Sequence, residues 1–219
     1  MKQADDLKQL LSFLNTESII LSAQQIKMLE EFLSELILFA EKHRIISRND
    51  IVHIVSKHFL SSFYFVKQIS KTISEKDCIL DLGSGAGFPG IILSIVFPNK
   101  IVLVDSVRKK TLFLNRVVKK LNLNCEIIND RIEKFSKTDK RVFKIITARA
   151  LASGSDLIDL VKPFLFSGQL HTIKGADFKS EFAGRENEIS LTYHTIDKNW
   201  ISYEQYLENK VYISFSAEI

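Results

Sequence analysis

The residue types able to do chemistry in this chain gather between positions 78 and 175. The densest stretch is Cys78-Ile-Leu-Asp-Leu-Gly-Ser-Gly-Ala-Gly-Phe-Pro-Gly90, an apolar run that breaks into four glycines within eight residues. Glycine serves where the backbone turns with φ > 0, or where a ligand approaches with no Cβ in the way. The run before the glycines reads as a buried strand, and the apolar segment Ile91 to Phe97 after Pro89 reads as a helix. A helix start offers free N–H groups and a positive dipole end to an anionic group. The expectation is a nucleotide-like cofactor at the carboxyl end of the first strand of an open α/β sheet.

Two readings of this turn overlap. Gly85-x-Gly87-x-x-Gly90 fits a dinucleotide fingerprint, with Asp105 twenty residues after Gly85 as its ribose-binding acid. Gly83-x-Gly85-x-Gly87, preceded by Asp81, fits the turn of S-adenosylmethionine-dependent methyltransferases. Asp81 suits a cofactor that carries an ammonium, whereas it would repel a pyrophosphate. A turn-capping carboxylate is the plainer role for it. Spacing alone leaves both cofactors open.

Further candidates close the later strand-like runs. Asp105 ends Ile101-Val-Leu-Val-Asp105, where a carboxylate can accept both ribose hydroxyls or cap the following helix. After the third run comes Asn129-Asp130-Arg131-Ile132-Glu133, with Ile132 placed to pack on an adenine ring and Glu133 adjacent. Arg149 follows the fourth run, either in the ligand crevice or in a salt bridge to Asp105 or Asp130. Lys174-Gly175 ends the fifth and is a candidate phosphate contact. No cysteine falls near a strand's carboxyl end, so C5-pyrimidine methylation through a cysteine adduct has no nucleophile. The fourth run lacks the Asn/Asp-Pro-Pro-aromatic motif of exocyclic-amine methyltransferases. His43, His53, His58, His171 and His194 share no metal-ligand spacing, and His58 on an apolar helix face reads as a packed core histidine. No Ser–His–acid set is suggested.

The elements that must position these residues fall into two parts. Residues 1–73 read as a helical extension packed on the core. Leu7, Leu10, Leu11 and Leu14 form one stripe, Ser22 with Gln25 signals a capping box, and Asn49 is a candidate third cap. A fourth helix starts near Ser62. Residues 74–219 read as a Rossmann-like α/β domain with seven strands: 78–82, 101–105, 125–129, 142–147, 169–173, 191–196 and 211–216. Helices are expected at 89–97, 107–121, 155–164 and 176–188. The early alternation implies a mostly parallel sheet, and the crowded late strands an antiparallel hairpin at one edge. The stretch 197–210 reads as a partly ordered loop.

Bulk properties exclude several classes. The chain has 219 residues, 46% hydrophobic and 26% charged, so global disorder is excluded. No apolar run approaches the roughly 18 residues that span a bilayer. Met1-Lys-Gln-Ala-Asp-Asp lacks the apolar core of a signal peptide. Two cysteines, Cys78 and Cys125, are too few for a disulfide framework and read as reduced thiols of a cytoplasmic protein. Net charge is +4, but positions 108 to 144 hold twelve Lys/Arg against four Asp/Glu. A basic segment on an otherwise acidic body is the footprint of a polyanion binder, or else a solvated helix face.

Several of these stretches together resemble one family. They are Asp81-Leu-Gly-Ser-Gly-Ala-Gly-Phe-Pro-Gly90-Ile, Val104-Asp-Ser106 with Lys109-Lys110, Asp130-Arg-Ile-Glu133, Ile146-Thr-Ala-Arg-Ala-Leu-Ala-Ser153 and Lys174-Gly175. The family is the bacterial ribosomal small-subunit methyltransferase G family, also called glucose-inhibited division protein B. Lys57-His58-Phe-Leu-Ser-Ser62 is similar to its Arg-His-Ile-Leu-Asp-Ser segment, with Ser61 in place of the Asp. Arg44-Ile-Ile-Ser-Arg48 stands where the family has Asn-Leu-Thr.

The resemblance implies a class I methyltransferase that uses S-adenosylmethionine to methylate guanine N7 in the 530 loop of 16S rRNA. It implies cofactor contacts at Gly83, Phe88, Ile132, Glu133 and Arg149, with Asp105 at the ribose and Gly85 and Gly87 completing the turn. Lys109, Lys110 and Lys174 would grip RNA phosphate. The partner would be 16S rRNA or a small-subunit precursor, met by a monomer with no membrane attachment. N7 carries an in-plane lone pair, so no general base and no single catalytic side chain is expected, and the histidine spacing leads to no expected metal. The rivals are a nicotinamide oxidoreductase on Gly85, Gly87 and Gly90, a non-catalytic RNA-binding or assembly module, and a methyltransferase for small molecules or proteins.

Overall fold

The computed structural model describes residues 2–166 and 168–218. The chain opens with helices α1 (Lys2–Thr16), α2 (Ala23–Lys42) and α3 (Arg48–Val52). A more widely wound π-helical turn, Ile54–Phe59, then runs directly into α4 (Leu60–Ile69). Ser22 caps α2 through a full capping box: its Oγ accepts from Gln25 N at 3.2 Å, and Gln25 Oε1 accepts from Ser22 N at 2.9 Å. Ser47, rather than Asn49, caps α3 by accepting from Asp50 N.

Strand and helix then alternate: β1 (Ile79–Leu82), α5 (Gly90–Val96), β2 (Ile101–Val104), α6 (Arg108–Leu121), β3 (Cys125–Ile128), α7 (Ile132–Thr138), β4 (Ile145–Ala148), α8 (Gly154–Leu165), β5 (Gln169–Gly175), α9 (Phe178–Glu181), β6 (Ile189–Thr195), α10 (Lys198–Tyr203) and β7 (Lys210–Ala217). One sheet of order β3-β2-β1-β4-β5-β7-β6 results. The first five strands are parallel, and β7 runs antiparallel between β5 and β6. The late hairpin therefore exists, with its second strand on the inside.

Alternation sorts the strand side chains between two cores. Ile79, Ile101, Leu103 and Ile145 face the side covered by α5, α6 and the N-terminal helices. Leu80, Leu82, Val102, Val104 and Ile146 face α7 and α8. With both faces covered, β2 is apolar throughout, and the central β1 and β4 are apolar but for the paired Asp81 and Thr147. The first cluster runs without a break from Leu7 to Tyr212, so the N-terminal helices and the sheet share one interior.

Three expectations need correction. Residues 132–138 form α7, which sequence periodicity does not show because only Ile132 and Phe135 bury a side chain. The helix expected over 176–188 shrinks to α9 and a 3-10 turn at Glu186–Glu188. The stretch 197–210 is no loose loop. Trp200 on α10 is fully buried, with its Nε1 donating to Glu17 Oε2 at 2.6 Å, and Lys67 binds the same carboxylate. Among the described residues, no helix is long and apolar enough to cross a membrane.

Candidate active site

The order of the sheet places β1 and β4 side by side, with β2 leaving to one side and β5 to the other. Ligands of open α/β sheets bind at this switch point, outside the carboxyl ends of the strands. A cleft of about 330 Å³ lies there. Its walls include Gly83, Asp105, Lys110, Ile132, Glu133 and Leu151.

The glycine turn connects β1 to α5. Gly83, Gly85 and Gly87 have φ of 69°, 59° and 100°, which L side chains rarely adopt. A Cβ on Gly83 would also lie 2.6 Å from Leu151 Cδ1, so the cleft closes around a bare backbone there. Gly90 serves a different purpose. A Cβ on it would lie 2.6 Å from Asp81 Oδ2 and 2.8 Å from Leu103 Cδ2.

Asp105 ties the turn to the next strand. Its Oδ2 accepts from Gly85 N and its Oδ1 from Val107 N, both at 2.8 Å. The residue thus caps the approach to α6 and lines the cleft at once. A carboxylate has about four acceptor sites, so two remain after those two bonds. Lys110 Nζ stands 3.9 Å from Oδ2.

Asp81 is fully buried in β1. Thr147 on the neighbouring β4 donates to its Oδ1 at 2.7 Å, while Oδ2 is buried without a hydrogen-bond partner. Burial pushes this carboxyl up to about 6, against the Thr147 hydroxyl, which holds it down. Its Oδ2 lies against Gly90 at the start of α5, whose backbone N–H also helps hold the carboxyl down.

Arg149 leaves the end of β4 and turns toward the N-terminal helices. Its Nη1 donates to Ser61 Oγ at 3.1 Å and its Nη2 to His58 Nδ1 at 2.6 Å. Its guanidinium lies 5.3 Å from the centre of the Phe88 ring, on which His58 also stacks. Arginine only donates, so His58 accepts at Nδ1 and keeps its proton on Nε2. Burial, and after it the Arg149 charge, push His58 down to about 3, so it is neutral. Burial likewise lowers Arg149 to about 10. No carboxylate lies within ion-pair distance of this guanidinium among the described residues, and the salt bridge to Asp105 or Asp130 is absent.

Four of the expected cofactor contacts, Gly83, Asp105, Ile132 and Glu133, therefore share the cleft wall. Gly85 and Gly87 shape the turn behind it. Phe88 is 3% exposed and packs with Phe32 and Phe59, so its ring braces Arg149 rather than lining the cleft. Lys109 is exposed at the start of α6. Lys174 is not free for phosphate: its Nζ donates to Ala152 O at 2.6 Å and Glu181 Oε2 at 2.8 Å. Sequence reading misses Ala150, Leu151 and Leu160 on the cleft wall. Ala150 has φ of 52°, and nothing in its type signals that.

This arrangement fits S-adenosylmethionine. The cleft has a carboxylate with spare acceptor sites for ribose, and apolar walls at Ile132, Leu151 and Leu160 for a base. Behind the glycine turn, outside the cleft lining, lie the fully buried Asp81 carboxyl and the Arg149 guanidinium, which has no carboxylate partner among the described residues. Fold and site together define a class I S-adenosylmethionine-dependent methyltransferase. Solved structures agree on the fold. The plantazolicin methyltransferase BpumL with SAH matches at TM-score 0.57 and 15% identity, over 89% of this chain and 100% of that one. An rRNA methylase from Streptococcus thermophilus matches at TM-score 0.53 and 10% identity, over 73% and 95%.

The family described as rRNA small subunit methyltransferase G matches residues 25–204, and the chain belongs to it. Relatives called ribosomal RNA small subunit methyltransferase G include one from Oceanobacillus iheyensis, 36% identical over 84% of this chain and 79% of that protein. Others are from Mycoplasma capricolum, 35% identical over 80% and 76%, and Pseudothermotoga lettingae, 34% identical over 69% and 66%.

Proposed function

We propose that this protein transfers the methyl group of S-adenosylmethionine to N7 of a guanine in the 530 loop of 16S rRNA. Family membership supports the reaction and the substrate class. The structural observation that carries it is the cleft at the switch point, with Gly83, Asp105, Ile132 and Glu133 in its wall.

Each residue has a role in this reading. Asp105 accepts the ribose hydroxyls, and Ile132 packs on the adenine with Glu133 at its edge. Asp81 receives the ammonium, directly or through water, and Arg149 the carboxylate. When bound, the cofactor supplies an electrophilic methyl on a sulfonium. The chain contributes alignment, with N7 brought to about 3–3.5 Å and in line with the breaking bond. It also excludes water and supplies fixed dipoles. N7 attacks with a lone pair and releases no proton, so no side chain acts as a base. We read the protein as a cytoplasmic monomer.

Chemical cleavage at 7-methylguanine in 16S rRNA, from cells with and without the gene, tests the reading. A cut in the 530 loop that vanishes with the gene is expected, and an unchanged pattern overturns it. Calorimetry with S-adenosylmethionine and with NAD separates this reading from the oxidoreductase, which requires NAD to bind.

A further inference from the structure

A second, larger hollow of about 710 Å³ adjoins the cofactor cleft. It lies where α2 ends and α3 begins, and Lys110 lines both cavities. Its position follows from the packing. Gln25 at the start of α2 donates to the carbonyls of Ile95 and Val96, at the end of α5 and so at the amino edge of the sheet. Since α2 packs along α5, its far end emerges at the carboxyl edge, where the cofactor cleft opens.

The rim of the hollow carries Lys42, Arg44 and Arg48, all exposed, and none of them is in an ion pair among the described residues. Glu41 is its one acid, and Ile46 and Ile51 lie between the cations. Asp50, one residue before Ile51, is taken up by Lys57. A cationic rim is what tracks the backbone of single-stranded nucleic acid, and the floor here offers a base an aliphatic face rather than an aromatic one. A single strand is also what the chemistry needs. N7 lies on the major-groove edge of guanine, and that groove is too deep and narrow in an A-form helix for side chains to reach.

We propose that the hollow lined by Lys42, Arg44, Arg48 and Lys110 is the track along which the single-stranded RNA enters the cofactor cleft. The proposal rests on the rRNA-methyltransferase reading. Of its residues, Arg44 and Arg48 stand where the resembled family has a different segment, and the basic residues of α6 divide by location. Arg108, Lys109 and Lys110 begin α6 at the carboxyl edge, beside the track. Lys119 and Lys120 end it at the opposite edge, and Lys120 with Arg116 is tied to Glu35.

The test compares the wild type with three triple variants. Lys42→Ala/Arg44→Ala/Arg48→Ala empties the rim, Lys42→Arg/Arg44→Lys/Arg48→Lys keeps its charge, and Lys27→Ala/Lys100→Ala/Lys119→Ala removes the same charge at the amino edge. Binding of a 530-loop RNA fragment is measured from 50 to 200 mM salt, with S-adenosylmethionine calorimetry as the check on folding. Three lost phosphate contacts should cut the log–log salt slope by about 2, so that wild-type affinity falls about 20-fold more than the emptied variant's over that range. The emptied variant should also show a raised KM for RNA with cofactor affinity unchanged, while the other two behave as wild type. An unchanged slope in the emptied variant overturns the track, as does an equal loss in the amino-edge variant. Wild-type protein that binds RNA with this rim-dependent slope but transfers no methyl overturns the methyltransferase reading and leaves the track standing.

Discussion

Full burial of its carboxyl makes Asp81 the most informative single position. Its carboxyl sits at about 6 in the folded protein against 3.8 ordinarily, because burial penalises the charge. A carboxyl with a raised folded pKa holds its proton more tightly in the native state. Native stability therefore falls as pH rises from about 4 through about 6, by about 3 kcal/mol in all. Urea unfolding of Asp81→Asn should lack that fall. A variant with the wild-type pH slope would remove Asp81 as its source. A bound ammonium favours the charged form, so S-adenosylmethionine affinity should increase over the same window in the wild type only. The glycines separate by mechanism. Gly85→Ala meets only Gly83 O at 3.7 Å, an ordinary contact, and suffers from its φ, about 1–2 kcal/mol. Gly83→Ala adds the collision with Leu151 and should lose cofactor binding as well, which thermal melts with and without S-adenosylmethionine will resolve. Gly83, Asp105, Ile132 and Glu133 were legible in sequence as cleft residues because each follows or ends a strand, and strand ends are local and share one edge of the sheet. The partners of Arg149 were not, since Ser61 and His58 are 88 and 91 residues away and only packing joins them.

At the scale of elements, the contact between α2 and α6 turns on Glu35. The residue is 5% exposed and accepts from Arg116 and Lys120, each at 2.7 Å. Lys120, foremost, and Arg116 hold its carboxyl below the ordinary value against burial. Its stabilising contribution is thus present above about pH 4.5 and lost as pH falls. The cations are 60% and 45% exposed, so screening limits the loss in Glu35→Ala to about 1–2 kcal/mol, reduced further in high salt. A change below 0.5 kcal/mol in urea unfolding would show the triad to be idle. The helix stripes, the capping box at Ser22 and most of the strands were readable from period and turn residues. α10 was not, because its six residues offer one deeply buried side chain, Trp200, whose partner Glu17 lies at the other end of the sequence.

For the molecule as a whole, the basic segment is less uniform than its composition suggests. Arg116 and Lys120 hold α2, Arg141 holds Glu126 and Asp139, and Lys134 pairs with Asp130. Of the cations in this segment with no ion pair among the described residues, Arg108 and Lys109 stand at the carboxyl edge beside the cleft, next to Lys110. Lys109→Ala/Lys110→Ala should lower the RNA salt slope by about 1.4, and an unchanged slope would exclude them. The placement of β7 between β5 and β6 bears on how the chain is made. β6 pairs only with β7, so during synthesis β6 emerges with no neighbour, and β5 holds an open edge until residues 210–217 arrive. Open edges recruit strands from other chains. Nascent chains stalled between β6 and β7 should therefore aggregate, while those released after Ala217 complete the sheet from within.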